Sequence, residues 1–160
     1  LLADRAIHRI APPATLEGGD VMRINQTFYV GASDRTDGDG IAQFTQIMSA
    51  AGYEVGAIPV TGCLHLKTGV TFIGRNTVIA TEEFASRPEF AGMTVIDVSD
   101  ADSYACNWIA INDSLIMPAG FESVRDRVID AGFDAAGIIE VPMTEFRKVD
   151  GGLTCLSLRF

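Results

Sequence analysis

Residues 19–60 read GDVMRINQTFYVGASDRTDGDGIAQFTQIMSAAGYEVGAIPV, and this stretch predicts the repeated unit of the fold. Two β-rich segments stand on either side of an Asn25-Gln26 turn, which predicts a hairpin. A helix is expected over about 40–51, because apolar residues recur there at helical spacing and a glycine follows as a stop signal. A strand over 53–60 closes the unit. The predicted order is strand, turn, strand, helix, strand.

The same order of elements recurs twice along the chain. The second unit has a hairpin over 69–80, a helix near 82–90 and a strand over 93–98, and the third has a hairpin over 108–117, a helix near 121–131 and a strand over 137–141. The closing strands begin about 40 to 44 residues apart, which predicts supersecondary units that pack on one another. An ordinary α/β sandwich with coincidental spacing is the alternative. A hairpin ahead of each helix argues against a Rossmann sheet, in which single strands and helices alternate.

The composition predicts a packed globular protein. Of the 160 residues, 48% are apolar and the mean hydropathy is +0.22, which argues against disorder. No apolar run is long enough to span a bilayer. The formal charge is −9, whereas a nucleic-acid binder usually carries the opposite sign. We therefore expect neither a nucleic acid nor a membrane as partner, and an acidic protein suits a small cationic ligand.

Cysteine usage predicts a reduced protein in the cytoplasm. The three cysteines are odd in number and form no CxxC pair, so neither a disulfide framework nor a zinc ribbon is indicated. Cys63 and Cys106 lie at the edges of apolar strands and are interpreted as core residues. Two histidines leave little material for a metal site, and the sequence has no GxGxxG or P-loop motif. We therefore predict no metal and no cofactor.

The third cysteine differs because two glycines come shortly before it. Cys155 follows Gly151 and Gly152 in DGGLTCLS, and glycines allow a tight backbone path and the close approach of a ligand. A lone cysteine is more often a buried core residue than a nucleophile. The two glycines favour the nucleophile enough to make the two interpretations about equal. A reactive thiolate would also need an acid or base nearby.

Two histidines could supply that acid or base. His65 lies in GCLHLKTG, the linker between two repeats, and loops that join rigid units often carry catalytic groups. A purely structural role for His65 stays open. His8 lies in an alternating pattern over residues 6–10, which predicts a solvated strand.

Two further motifs carry charged side chains that could bind a ligand. Glu17 and Asp20 are separated by a glycine pair in LEGGD and can converge on a cationic group, although a plain turn with solvated acids is the alternative. Arg35 follows a strand in GASDRT and can hold a carboxylate through two parallel hydrogen bonds. It could equally be an ordinary surface arginine.

In this order on repeated ββαβ units, LEGGD, GASDRT, HLKTG and DGGLTCLS resemble the guanidine-modifying superfamily, the penteins. The resemblance is strongest to the dimethylarginine dimethylaminohydrolases and runs from residue 14 to residue 160. It implies an α/β fold, a pseudo-fivefold α/β propeller of ββαβ modules, of which this chain contains about three. The implied partial domain covers 1–160, with modules near 19–60, 67–98 and 107–142 and a C-terminal catalytic segment at 150–160.

The resemblance also implies a role for each candidate residue. Cys155 would be the nucleophile and His65 the general acid and base. Glu17 would pair with His65 and with the substrate guanidinium, and Arg35 would hold the substrate α-carboxylate. Asp20 is expected to help bind the cationic substrate. The implied reaction is hydrolysis of N-ω-methylated arginine, a small guanidino compound, to citrulline and methylamines through a covalent thiouronium intermediate.

One residue favours this subfamily over its neighbours. As families, arginine deiminases and amidinotransferases carry an aspartate two positions after the histidine, where this sequence has Lys67. The carboxylate of that aspartate would accept a hydrogen bond from a guanidinium nitrogen. A methylated nitrogen could not make full use of such an acceptor. Lys67 therefore favours a methylated substrate, unless its side chain merely points to solvent.

Two alternatives remain at the level of sequence. The first keeps the chemistry and makes the protein an arginine deiminase or another guanidino hydrolase or amidinotransferase. The second is an inactive repeat domain that binds a partner through exposed sheet faces and strand edges. With about three of five modules and a leucine at its start, the chain is expected to be truncated and to lack further acidic guanidinium ligands. Homo-oligomer formation is left open.

Overall fold

Three small sheets of three strands each form the framework of the fold in the computed structural model, which describes residues 6–158. The strands are β1 (Val21–Ile24), β2 (Thr27–Ala32) and β3 (Glu54–Pro59) in the first sheet, β4 (Val70–Gly74), β5 (Thr77–Thr81) and β6 (Thr94–Val98) in the second, and β7 (Ile109–Ile111), β8 (Ser114–Pro118) and β9 (Ile138–Val141) in the third. In each sheet the first strand pairs antiparallel with the second, and the second pairs parallel with the third. The predicted order of hairpin, helix and strand is therefore present three times.

Each parallel connection runs through a helix. The α-helices are α1 (Gly38–Ala50), α2 (Leu66–Gly69), α3 (Glu82–Ala85), α4 (Glu122–Asp130) and α5 (Thr144–Arg147). Helices α1, α3 and α4 join the second and third strands of their sheets, whereas α2 precedes β4 and α5 follows β9. The stop signal predicted after α1 is confirmed, because Gly52 has a φ angle of +85°, and Gly132 ends α4 in the same way with a φ angle of +94°. Between residues 6 and 158, no helix is long and apolar enough to cross a membrane.

Two predicted elements differ from the structure. The helix expected over 82–90 stops at the end of α3, and a 3₁₀ turn at Pro88–Phe90 follows it. Arg87 between them is extended, because the residue before a proline is disfavoured in the helical region. The strand expected over 6–10 is wrong, since this segment pairs with no strand, although His8 is exposed to solvent as expected.

The second sheet supplies side chains to both clusters of the core. One cluster lies between the first and second sheets and includes Val78, and the other lies between the second and third sheets and includes Ile79 and Trp108. Successive side chains of a strand point to opposite faces, so β5 can pack against both neighbouring units. All five residues of β5 are accordingly buried.

A buried carboxyl group joins three segments near one end of the first sheet. The side chain of Asp20, immediately before β1, accepts hydrogen bonds from Ser33 Oγ and Thr36 Oγ1 at 2.7 Å each and from the backbone N–H of Leu66 at 2.9 Å. Gly31 lies against this group, because a Cβ atom there would be 2.6 Å from Asp20 Oδ1. The start of β1, the loop after β2 and the start of α2 are thereby held together.

Replacing Asp20 is expected to destabilise the whole fold. Asp20→Ala leaves two buried donors and one half-buried donor without their acceptor. Unsatisfied buried groups are costly, so we expect a loss of about 3 kcal/mol in the free energy of unfolding. Urea denaturation followed by circular dichroism measures it. The matched control is Asp34→Ala, because Asp34 is exposed in the same loop region and its loss should change stability by less than about 0.5 kcal/mol. Equal stabilities of the two variants would contradict the role assigned to Asp20.

Candidate active site

Glu17 lies between the imidazole of His65 and the guanidinium of Arg35. Its Oε2 atom is 2.6 Å from His65 Nε2, and its Oε1 atom is 3.4 Å from Arg35 Nη1. The side chains of Glu17 and Arg35 are 44% and 48% exposed, so a ligand from solvent can reach both of them. The structure thus brings together three of the residues that the sequence singled out.

Local structure determines where these three side chains point. Glu17 directly precedes a 3₁₀ turn at Gly18–Asp20, and its backbone N–H donates to Thr36 Oγ1 at 3.0 Å. Arg35 lies in the short loop between β2 and α1, which is closed by a bridge between Ser33 and Thr36. His65 is the residue that precedes α2. All three positions adjoin the segments that Asp20 joins.

The ring of His65 is tightly enclosed. A Cβ atom at position 19 would lie 2.6 Å from His65 Cγ, so only glycine fits beside the imidazole. The backbone oxygen of His65 accepts a hydrogen bond from Cys63 Sγ at 3.3 Å. The next residue, Leu66, is bound to Asp20 through its N–H. The imidazole is therefore held with its Nε2 atom toward Glu17.

The contact with His65 also changes the acidity of Glu17. The hydrogen bond from His65 lowers the pKa of the Glu17 carboxyl group below its usual value, and Arg35 lowers it further. Partial desolvation of the carboxyl group raises its pKa and offsets part of this effect, but the net direction is downward. Glu17 is therefore a carboxylate at neutral pH, able to orient either an imidazole proton or a guanidinium group.

Cys155 lies in a turn over residues 153–156 and is exposed, unlike the other two cysteines. In the described part of the chain, no hydrogen bond links its thiol to His65. The preceding residue, Thr154, is instead bound to Asn107, whose amide nitrogen also donates to the backbone oxygen of Lys67. Because Lys67 lies two positions after His65, this contact brings the cysteine segment beside α2.

One cleft borders all three of these segments. Its volume is about 630 Å³, and its lining includes Gly18 beside Glu17, Lys67 of α2 and Thr154 beside Cys155. Trp108 and parts of β1, β4 and β7 form other parts of its wall. Glu17, His65 and Cys155 are not themselves among the residues that line this cleft, so the cleft adjoins the site through their neighbours in the chain.

The other two thiols are poor nucleophiles. Burial raises the pKa of Cys63 to about 11, with a further contribution from nearby Glu83 and Asp20. Burial raises the pKa of Cys106 to about 12. Cys106 is a core residue as predicted, whereas Cys63 is only half-buried. Since the thiolate is the reactive form, neither residue is suited to attack at neutral pH.

Two interpretations of individual residues need correction. Asp20, expected to help bind substrate, is fully buried and its oxygens already accept three hydrogen bonds from the protein, so it does not converge with Glu17 on a ligand. Gly152, expected to allow close approach of a ligand, instead allows close approach of Asn107, whose Cγ atom would be 2.7 Å from an added Cβ atom. Both residues shape the protein itself.

Sequence reasoning also missed residues that hold the site. Asn107 and Thr154 form the link described above, and Tyr104 Oη donates to the backbone oxygen of Gly151 at 2.6 Å. One signal was available, because Asn107 is a polar residue inside the otherwise apolar run ACNWIAI. Residues 6–158 contain no group of three or more histidine, cysteine or acidic side chains that could hold a metal ion.

Comparison with known proteins gives consistent matches. The family model described as arginine deiminase matches residues 3–115. A dimethylarginine dimethylaminohydrolase of Pseudomonas aeruginosa is 39% identical over 96% of this chain, which covers 59% of that protein. A second protein of that name, from Streptomyces coelicolor, is 30% identical over 96% of the chain, which covers 58% of it. The chain thus spans about three fifths of the length of these relatives.

Solved structures show the same relationship. A variant of the Pseudomonas aeruginosa dimethylarginine dimethylaminohydrolase in complex with citrulline matches 95% of this chain with a TM-score of 0.89, and the chain covers 58% of that structure. The N-terminal domain of a cyanobacterial arginine dihydrolase shares the fold at 23% identity, with a TM-score of 0.81 over 96% of this chain and 59% of the other. Because the family model matches more than half of the residues, the chain belongs to the arginine deiminase family, and its homologues include dimethylarginine dimethylaminohydrolases.

Proposed function

We propose that this protein is a hydrolase that converts N-ω-methylated arginine to citrulline and a methylamine, with Cys155 as its nucleophile. The observation that carries this proposal is the 2.6 Å contact of Glu17 with His65, on segments that border the same cleft as the turn containing Cys155. The 39% identical relative bears the name of such an enzyme, and its structure in complex with citrulline has the same fold. The substrate is a small cation, which suits the acidic charge of the chain.

The reaction proceeds in two halves, and His65 transfers one proton in each half. The Cys155 thiolate attacks the guanidinium carbon, and the bond from that carbon to the methylated nitrogen breaks as His65 donates a proton to the departing amine. This leaves a thiouronium group on Cys155. Water then attacks the same carbon while His65 takes one of its protons. As the carbon–sulfur bond breaks and releases citrulline and the thiolate, the second proton of that water passes to the solvent, where the released amine takes it up. No redox partner is needed.

Glu17 and Arg35 orient the reactants in this scheme. Glu17 holds one imidazole nitrogen of His65, which leaves the other nitrogen to exchange protons with the amine and the water. Its carboxylate is also exposed enough to bind a guanidinium nitrogen. Arg35 can bind the α-carboxylate of the substrate, since its side chain is half exposed and its contact with Glu17 is long, at 3.4 Å. Orientation of this kind lowers the barrier to attack on a resonance-stabilised carbon.

We also propose that the three ββαβ units form part of a pseudo-fivefold α/β propeller within a single domain. The strand order is the same in all three sheets, and neighbouring units share their core clusters. Three units of five also agree with the share of about three fifths that the chain covers in its structural relatives. A cytoplasmic location stays a prediction from cysteine usage.

Arginine deiminase activity is the second candidate, because the matching family model bears that description. It would use the same residues on unmethylated arginine and release ammonia. Lys67 favours the methylated substrate, since it lines the cleft where an aspartate would offer an acceptor to an unmethylated nitrogen. The two candidates therefore differ in substrate and product, and not in mechanism.

Turnover assays separate these candidates. With asymmetric dimethylarginine, the protein is expected to release citrulline and dimethylamine, and the Cys155→Ser and His65→Ala variants should lose on the order of 10³-fold or more in kcat, since each lacks an essential reacting group. The matched control is His8→Ala, because His8 is the other histidine of the chain and is exposed, and it should keep the wild-type rate. Citrulline formed from arginine alone would show the second candidate to be right, and turnover by Cys155→Ser at the wild-type rate would refute the mechanism.

Alkylation tests the identity of the nucleophile independently of turnover. At pH 7.5, 2-chloroacetamidine, which resembles a guanidinium ion, is expected to modify Cys155 on the order of 10³ times faster than Cys63 or Cys106, because the latter are almost entirely protonated. Mass spectrometry of the digested protein measures each site. As the pH rises toward 11, Cys63 should become reactive, since its pKa is about 11, and the selectivity should fall. Equal modification of all three cysteines at pH 7.5 is the result that would exclude Cys155 as a special nucleophile.

A further inference from the structure

Asn107 is a buried asparagine whose side chain joins the His65 and Cys155 segments. Its Nδ2 atom donates hydrogen bonds of 3.1 Å to the backbone oxygen of Lys67 and to Thr154 Oγ1. Its Oδ1 atom accepts a hydrogen bond of 2.9 Å from the backbone N–H of Thr154. One planar amide thus contacts segments that are 40 residues before it and 47 residues after it.

The packing around Asn107 is equally specific. Gly152 lies so close to the amide that a Cβ atom there would be 2.7 Å from Asn107 Cγ, which makes glycine necessary at this position. Tyr104, from the 3₁₀ segment Asp100–Cys106 that precedes Asn107, donates to the backbone oxygen of Gly151 at 2.6 Å. The cysteine segment is therefore anchored at three successive points to residues 104–107 before the chain reaches Cys155.

These hydrogen bonds gain importance from their burial. Asn107 is 7% exposed, and a polar amide removed from water must find its partners within the protein. The amide plane has its donors and its acceptor in fixed directions, so it satisfies both segments at only one relative placement. A change in that placement would leave buried groups unpaired, at a cost that exceeds the net gain from an ordinary hydrogen bond.

We propose that Asn107 is a positioning residue that fixes Cys155 relative to His65. The inference rests on the proposed function, because only a thiolate and an imidazole that act on one carbon need a common placement. Asn107 contacts neither of these two side chains, and it acts through Lys67 and Thr154. A nucleophile misplaced by about 1 Å can lose on the order of 10²-fold in rate, so a link of this kind affects chemistry more than ground-state binding.

The sharpest test is Asn107→Asp, which keeps the shape of the side chain. One carboxylate oxygen can still accept from the Thr154 N–H, and the Thr154 hydroxyl can rotate to donate to the other. The contact with the oxygen of Lys67 is lost, however, because two acceptors then face each other. The variant therefore separates the His65 segment from the Cys155 segment and leaves the cysteine segment attached.

The readout compares two alkylating reagents at Cys155 in the 160-residue chain. Iodoacetamide reports the reactivity of the thiolate alone, whereas 2-chloroacetamidine also depends on the groups that hold its cation. We expect the ratio of the two rate constants to fall at least about 10-fold in Asn107→Asp, with the iodoacetamide rate within about threefold of wild type. In turnover assays, kcat should fall about 10- to 100-fold while KM changes less than about threefold.

Two further variants keep the test decisive. Asn112→Asp makes the same substitution at an exposed hairpin turn and should leave the ratio unchanged. Thr154→Val removes the contact of Oγ1 with Asn107 and should lower the ratio. Thr154→Ser keeps the oxygen and should restore most of the wild-type ratio. This pair gives a result even if Asn107→Asp fails to fold. An unchanged ratio in both Asn107→Asp and Thr154→Val would overturn the inference. So would parallel slowing of both reagents, which indicates a purely structural role.

The same experiment distinguishes failure of the inference from failure of the proposed function. With Asn107 unchanged, the His65→Ala substitution alone should lower the ratio of the two rate constants at Cys155. If it does so while Asn107→Asp does not, the proposed site stands and Asn107 has no positioning role. If His65→Ala leaves the ratio unchanged, Cys155 and His65 do not cooperate, and both proposals fall.

Discussion

The buried carboxyl group of Asp20 is the interaction on which the arrangement of this site depends. It accepts hydrogen bonds from the loop after β2 and from the start of α2, and it lies three residues after Glu17. Arg35 stands in the first of these segments, and His65 immediately precedes the second. A carboxyl group that is buried away from water requires these donors. The hydrogen bonds of Asp20 therefore determine where Glu17, Arg35 and His65 lie relative to one another.

The repeated units could be predicted from the sequence because they depend on local patterns. Helical spacing in α1 and α4, the turn residues of the hairpins and the glycines after the helices all act within a few residues of themselves. The strand expected over 6–10 fails for the opposite reason, since alternation of residue types creates no partner strand. The end of the helix before Pro88 could have been predicted, because a proline restricts the backbone of the residue that precedes it.

The site itself could be assembled from sequence only through resemblance. Glu17 and His65 are 48 residues apart, and no periodicity measures the distance between them. Asn107 was missed because its partners, Lys67 and Thr154, come from two other parts of the chain. The sequence indicates that a group comes close to Gly152, but it does not show which group. A ligand is the expectation from sequence, whereas the structure has the Asn107 side chain there. These are properties of tertiary packing, and the residue types alone do not specify them.

The sharing of the second sheet between two core clusters has a consequence for how the chain unfolds. Loss of β5 would expose apolar surface on both of its faces, and both clusters would open together. An end unit that detached would uncover one cluster and leave the other intact. Of the three units between residues 6 and 158, the middle one should therefore exchange its amide hydrogens only when both clusters open, while the other two have access to partial opening of lower free energy. Since α2 and His65 directly precede β4 of the middle unit, the histidine of the site is carried by the most cooperative part of the molecule.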